Sequence, residues 1–343
     1  MANRNLVNAY DAVQAMAATT PPDLAFRGSA AADFYAWRQR FLAAYQACLG
    51  PWPRPVPAAI DEADEVDCGS HRRLHLYFDS SPNTTVSAYL LIPDGIAPGE
   101  RRPGILACHG HGNGKDDVVG LNPDSHARAV DHALQAVERG YVVMVPDWLP
   151  FGERRPPKEW WQGCDCCNVA GLAWQYFGYT LLAQNVWDGM RALDVLAARP
   201  EVDGGRLGVL GSSYGGTMAL HLAANDPRLK ASAVSCYLST VREDAITMRG
   251  QANFCGAQHV PSLLLHGDIA EMAGLIAPKP LLIEAGQKDT CFIIEDARQA
   301  VAVLRAIYDA AGYPDRLVYD EHPNEHSWHG TVAWDWLARW LWK

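Results

Sequence analysis

The 343-residue sequence has no uninterrupted apolar run approaching the roughly 18 residues that a membrane-crossing helix needs. Its opening Met1-Ala2-Asn3-Arg4-Asn5 is not followed by the apolar stretch of an export signal, so a cytoplasmic chain is expected. Positive charge is in short supply: 29 Lys and Arg against 39 Asp and Glu give a formal charge of −10. That balance argues against nucleic acid and anionic membrane as partners, since both reward a basic surface. Repeats and low-complexity tracts are absent. The cysteines number nine, an odd count, and no C-x-x-C is matched by a second, so neither a disulfide framework nor a structural zinc site is expected. Cys164-Asp165-Cys166-Cys167 is read as a loop bordering a pocket.

With 49% hydrophobic and 20% charged residues, the composition is that of a folded protein with material for a sizeable core. The stretch that organises it is Arg206 to Ala224. Within it, Leu207 to Leu210 reads as a buried strand, Thr217 to Ala224 as a small-residue helix, and Gly211-Ser212-Ser213-Tyr214-Gly215 between them fits G-x-S-x-G. A serine at the tip of a tight strand-to-helix turn is strained, and its neighbours two positions away must be small for strand and helix to approach. Ser213 is therefore the candidate nucleophile. Ser212 lacks the flanking glycines. The same turn aims the Tyr214 N–H and the helix dipole at whatever the serine attacks.

Along the chain, the apolar positions Phe34, Trp37, Phe41, Leu42, Tyr45 and Leu49 recur at three and four, predicting an amphipathic helix over Ala31 to Leu49. Gly50-Pro51-Trp52-Pro53 stops it. Arg72 to Phe78 and Thr84 to Ile92 alternate like an antiparallel hairpin. Gly104 to Cys108, a helix over His126 to Arg139 and Tyr141 to Val145 read as strand, helix, strand in the parallel sense. After Asp147 comes a long irregular excursion with Trp148, Phe151, Trp160 and Trp161, the kind of loop that holds substrates on α/β domains. A helix over Gly171 to Ala198, strands at Ala231 to Leu238, Pro280 to Gly286 and Arg316 to Asp320, and helices at Phe292 to Ala311 and Thr331 to Trp342 complete the reading. The expected organisation is an N-terminal helical extension over 1–60 and a catalytic domain over 61–343 with a pocket-bordering insertion at 147–170. The aromatic faces of the first and last helices are left as contacts within one chain or within a homo-oligomer.

A serine needs a base to take its proton, and the base needs an acid to fix its tautomer. The acid belongs just past a late strand, where Asp289 follows the run Leu281 to Ala285. Glu243 and Asp244 are held in reserve. His322, His326 and His329 crowd the loop after the last strand, and His326, in mid-loop, is preferred for reach. The second oxyanion donor is expected in His109-Gly110-His111-Gly112, from the His111 backbone or that of Gly112.

These motifs together resemble the α/β-hydrolase superfamily, in particular its bacterial branch near dienelactone hydrolases and acetyl xylan esterase-like enzymes. The resemblance runs from about Ala31 onward through Cys108 to Gly112, Pro146-Asp147, Phe151 to Arg154, Gly211 to Gly216, Ile276 to Pro280 and Glu325 to Gly330. It implies a mostly parallel central sheet flanked by helices and a serine esterase using Ser213, Asp289 and His326, with Tyr214 and His111 at the oxyanion. It also implies no metal or organic cofactor and a small ester, carbohydrate esters included, as partner; His109, Trp148, Phe151, Trp160 and Trp161 are the expected substrate-binding wall. The last motif departs from the family's usual Gly-Gly-His, reading Asn324-Glu325-His326. Rival readings are a lactone hydrolase or peptidase with the same triad, a non-catalytic binding protein, and a metal enzyme built on the cysteine cluster.

Overall fold

The computed structural model describes residues 7–124, 130–242 and 254–343. Nine strands form one sheet among them: β1 (Asp61–Asp67), β2 (His71–Ser81), β3 (Thr84–Pro93), β4 (Arg102–Cys108), β5 (Val142–Pro146), β6 (Val202–Ser212), β7 (Leu229–Ser235), β8 (Leu281–Gly286) and β9 (Leu317–His322). Their spatial order is β1-β2-β3-β5-β4-β6-β7-β8-β9. The first three strands are antiparallel, β3 joins β5 antiparallel, and β5 through β9 are parallel. This is the mostly parallel sheet that the resemblance implies.

Helices cover both faces: α1 (Ala9–Thr19), α2 (Ala31–Leu49), α3 (Lys115–Val118), α4 (His132–Glu138), α5 (Cys166–Gln175), α6 (Leu181–Ala197), α7 (Tyr214–Asn225), α8 (Leu263–His266), α9 (Ile269–Gly274), α10 (Ile294–Ala311) and α11 (Ala333–Leu341). The central strands read as unbroken apolar runs because successive side chains serve opposite faces. Leu106, Met144 and Val209 enter the larger core with α2, α6 and α7, while Ile105, Val143 and Leu210 enter the other with α4 and α11. No helix among the described residues is long and apolar enough to cross a membrane.

Some elements differ from the sequence expectation. The strand β1 was missed because its seven residues are all exposed and mostly acidic, and a solvated edge gives no apolar alternation. The helix expected over 171–198 is two, α5 and α6, broken around Gly178, whose φ is +79°. Of the helix expected over His126 to Arg139, the structure has His132–Glu138, with Val130 and Asp131 ahead of it non-helical, and residues 125–129 lie outside the described residues. The N-terminal extension has no core of its own: Phe34, Trp37, Phe41, Tyr45 and Leu49 on α2 lie in the larger core of the sheet. Tyr45 Oη lies 2.5 Å from His221 Nδ1 on α7, and Arg38 donates to the Leu275 carbonyl. The tryptophan face of α11 is likewise covered within the chain, with Trp334 and Trp336 buried against the sheet.

Candidate active site

The chain leaves β4 toward β5 on one side and returns to β6 on the other, so the sheet reverses its winding between β4 and β6. In open α/β sheets, ligands bind outside the carboxyl ends of the strands at such a point. Here β4 ends into His109, β6 into Ser213, β7 into Cys236, β8 into the loop of Asp289 and β9 into the loop of His326. Parallel pairing puts all five loops at one end of the sheet.

Ser213 caps α7 with φ +59° and ψ −124°, a left-handed conformation costing a non-glycine residue about 1–3 kcal/mol. The surroundings enforce it. Its N–H donates to the Ser235 carbonyl at 3.0 Å, and its own carbonyl accepts from Thr217 N–H at 3.0 Å. A Cβ at Gly215 would stand 2.0 Å from the Cys108 oxygen, and one at Gly211 would stand 2.3 Å from the Gly215 oxygen, so only glycine fits either position. Ser212 is buried, whereas Ser213 reaches the surface. Tyr214 opens α7, where first-turn N–H groups have no acceptor within the helix. Its ring is buried, its phenol is pushed well above the ordinary range chiefly by that burial, and its oxygen accepts from Asn185 Nδ2 at 2.8 Å.

Of the three candidate histidines, the structure pairs His326 with the candidate acid: His326 Nδ1 lies 2.8 Å from Asp289 Oδ2. The two oxygens of Asp289 divide their work. Oδ1 accepts the Cys291 and Phe292 N–H groups at 2.7 and 3.0 Å, which fixes the carboxylate and leaves Oδ2 for the ring. Asp289 is 1% exposed and His326 26%. The other histidines are engaged elsewhere. His329 Nδ1 lies 2.9 Å from Asp320 Oδ2, its Nε2 lies 3.1 Å from Thr331 Oγ1, and His322 is buried with its ring stacked on His329 at 4.4 Å. The serine and the His326 loop meet at Ser235, whose carbonyl holds Ser213 and whose hydroxyl donates to the Ser327 carbonyl at 3.4 Å. Among the described residues Ser213 Oγ makes no hydrogen bond, so the aspartate–histidine half of the constellation is joined and the serine–histidine half is open. Catalytic contacts commonly close only with substrate. Glu243 and Asp244, the reserve acids, lie outside the described residues.

The loop after β4 lies against the serine, for a Cβ at Gly110 would be 3.6 Å from Ser213 Cβ. His111 follows it, its ring 5.1 Å from that of Tyr214 and 5.3 Å from that of Phe151. A buried polar network holds this loop. Asp147 accepts from the Lys115 N–H and Nζ at 2.7 and 2.8 Å and from the Glu153 N–H at 3.0 Å, and Arg154 donates to its carbonyl. Lys115 and Arg154 were not singled out as site residues from sequence, although the Gly-Asn-Gly-Lys and Phe-Gly-Glu-Arg runs that contain them were visible.

The aromatic wall is placed unevenly. His109 and Trp148, expected on the substrate wall, are fully buried. His109 Nε2 accepts the Trp148 N–H at 3.0 Å, so its Nδ1 carries the proton toward the Gly110 carbonyl at 2.8 Å; burial lowers its pKa and keeps the ring neutral. These contacts hold the loop after β4 against Trp148. Phe151 is 5% exposed, Trp161 is half-buried, and Trp160 is 46% exposed.

A family model described as "Abhydrolase family" matches residues 2–330. The chain belongs to this family. Its fold is that of the α/β-hydrolases. It is 28% identical over 218 residues to the protein named Putative hydrolase YtaP of Bacillus subtilis (strain 168), covering 62% of this chain and 69% of that one. Among solved structures it is similar to a putative acetyl xylan esterase from Bacteroides fragilis NCTC 9343, with TM-score 0.81, 19% identity and coverage of 99% and 96% of the two chains. A glucuronoyl esterase from Solibacter usitatus gives TM-score 0.67, 17% identity and coverage of 95% and 98%.

Beside the abhydrolase elbow lies a cavity of about 690 Å³ lined in part by Val13 and Met16 of α1, Leu172 of α5, Tyr237, Phe254 and Cys255. Its described lining contains neither Ser213 nor His326, so the chemistry is located by the side chains rather than by this void. The two are connected through Phe254 and Tyr237, whose rings meet Phe292, which faces His326 at 6.0 Å. None of Cys164 to Cys167 lines this cavity, although Asn168 next to them does; Asp165 caps α5 through the Asn168 N–H at 3.0 Å, and Cys167 is buried against the segment of Cys255.

Proposed function

We propose that this abhydrolase is a serine carboxylic-ester hydrolase working through an acyl-enzyme. The observation that carries the reading is the buried Asp289, fixed by two backbone donors and 2.8 Å from His326, at the sheet end where Ser213 stands in a strained elbow. In the first half-reaction His326 Nε2 takes the Ser213 proton while Oγ attacks the ester carbonyl. The negative oxygen faces the backbone N–H groups of Tyr214 and His111, and the positive His326 is steadied by Asp289. His326 then gives the proton to the departing alcohol. In the second half-reaction water repeats the attack on the acyl-serine and regenerates the free serine.

The substrate class we favour is small acyl esters, acetyl esters of carbohydrates among them. The similar chains named as acetyl xylan and glucuronoyl esterases support that choice, and Trp160, an exposed ring in the excursion after Asp147, is of a kind suited to stacking on a sugar face. Turnover of p-nitrophenyl acetate and of acetylated xylo-oligosaccharides by the wild type and Ser213→Ala tests the reading. Acetate release that disappears in the variant supports it; equal release by both would reject Ser213, and hydrolysis of peptide or lactone substrates without any acetate release from these esters would reject the small-acyl-ester reading.

A further inference from the structure

The side chains of His111, Cys167 and Cys255 form a cluster that the esterase chemistry, which draws only on the backbone N–H of His111, does not use. His111 Nε2 lies 3.3 Å from Cys255 Sγ, and the three side chains bring their ligand atoms within 4.8 Å of one another. Three segments distant in sequence deliver them: the loop after β4, the first turn of α5, and residues 254–258.

The backbone is arranged for this meeting. A Cβ at Gly256 would be 2.6 Å from the Cys167 carbonyl oxygen, and one at Gly171 would be 2.6 Å from the Gly256 oxygen, so α5 and the Cys255 segment touch main chain to main chain. The Gly256 N–H donates to Asn168 Oδ1 at 2.8 Å, one residue from Cys167. On the other side the Cys255 N–H donates to Gln258 Oε1, and Gln258 Nε2 donates to Thr217 Oγ1 at 2.7 Å on α7. The His111 ring is held between Phe151 and Tyr214. All three donors are therefore positioned by contacts that involve no ion.

We propose that His111, Cys167 and Cys255 bind a soft divalent transition metal, zinc in preference. Two thiolates and an imidazole are the donor set that selects zinc over hard cations. Tetrahedral bonds of about 2.3 Å to sulfur and 2.05 Å to nitrogen put those two atoms about 3.6 Å apart, close to the separation seen here. Three protein ligands leave the fourth position to water or an added ligand. The bound ion would join the loop of His111 to α5 and to the 254–258 segment, making the rim of the cavity one unit.

The test uses the full chain, reduced with a phosphine, stripped with a chelator and titrated with cobalt(II) and then zinc. Cobalt in this site gives intense tetrahedral visible bands and thiolate charge-transfer absorption, zinc displaces it at one equivalent, and zinc raises the melting temperature. Cys167→Ser and Cys255→Ser each weaken binding by at least about 100-fold, more than loss of an outer-sphere partner. Cys164→Ser, which alters an exposed neighbour outside the cluster, leaves it unchanged. Circular dichroism reports whether each variant folds; if Cys255→Ser does not, the charge-transfer intensity of wild type still counts the thiolates. Octahedral cobalt without sulfur absorption, equal binding by the Cys167 and Cys255 variants, or a reduced wild type that binds nothing would each overturn the proposal. So would a Cys167–Cys255 disulfide that, once reduced, yields no metal-binding protein.

Discussion

Two histidine–aspartate pairs lie three residues apart on the loop after β9, with nearly equal geometry: 2.8 Å for His326 with Asp289 and 2.9 Å for His329 with Asp320. Their settings differ. His329 has its second nitrogen occupied by Thr331 and its ring stacked on a buried histidine, so both ends of the imidazole are spent on structure. His326 has one nitrogen held by a buried acid and a ring that reaches solvent beside Phe292. A histidine–carboxylate contact alone does not mark a proton relay. A second nitrogen without a hydrogen-bond partner among the described residues, and a candidate nucleophile at the same sheet end, separate the two.

The largest expected effect exploits that separation. Asp289→Asn or His326→Ala lowers kcat for p-nitrophenyl acetate by about 10⁴-fold or more, in the range for triad members of serine hydrolases. Asp320→Asn and His329→Ala change it only a few-fold. Similar losses from both pairs, measured on protein shown by circular dichroism to be folded, would erase the distinction.

Next comes Glu284, which sits between the pairs and accepts the Gly330 N–H at 2.9 Å. Burial is the main reason its pKa rises from 4.5 to about 7, with Asp320 adding to it. A carboxyl whose folded pKa is raised binds more protons in the folded state, so stability is highest below about 4.5 and falls as pH rises to about 7. The shift corresponds to about 3 kcal/mol. Glu284→Gln therefore flattens urea-unfolding stability between pH 5 and 7, and a wild type whose stability is already flat there would contradict this.

A smaller effect is expected from His329→Ala on folding: loss of its Asp320 contact and ring stacking costs about 1–2 kcal/mol, read from the urea midpoint. The smallest is in the excursion after Asp147. Trp160→Ala lowers kcat/KM for an acetylated xylo-oligosaccharide by about 2- to 10-fold, the value of one aromatic contact, and leaves p-nitrophenyl acetate turnover unchanged. An equal loss on both substrates would mean that Trp160 supports the loop and not the sugar.

The elbow was legible because its constraint is local: Gly211, Ser213 and Gly215 are adjacent, and the strand and helix around them announce themselves by burial. Asp289 was legible from chain order past a late strand. Choosing among His322, His326 and His329 was a matter of reach in the sequence, and the decisive fact, which acid each ring meets, is a contact across 37 residues in one case and nine in another. The buried positions of His109 and Trp148 could not be read, because a histidine that props a loop and one that lines a pocket have the same neighbours in sequence. The meeting of Cys167 with Cys255 is further still from local pattern, for it depends on two glycines in different segments. The acidic strand β1 was hidden for the opposite reason: its stability comes from ladder bonds to β2, and its side chains carry no apolar signal.

The central claim, that Ser213 is the nucleophile made reactive by His326 and Asp289, is tested most directly with a fluorophosphonate. Incubated with wild type, it should add one phosphonyl group, located on Ser213 by peptide mass analysis, with parallel loss of ester turnover. Labelling should slow about as much as turnover does in His326→Ala. A label on Ser212 or a cysteine, or full-rate labelling of Ser213 in that variant, would contradict the account.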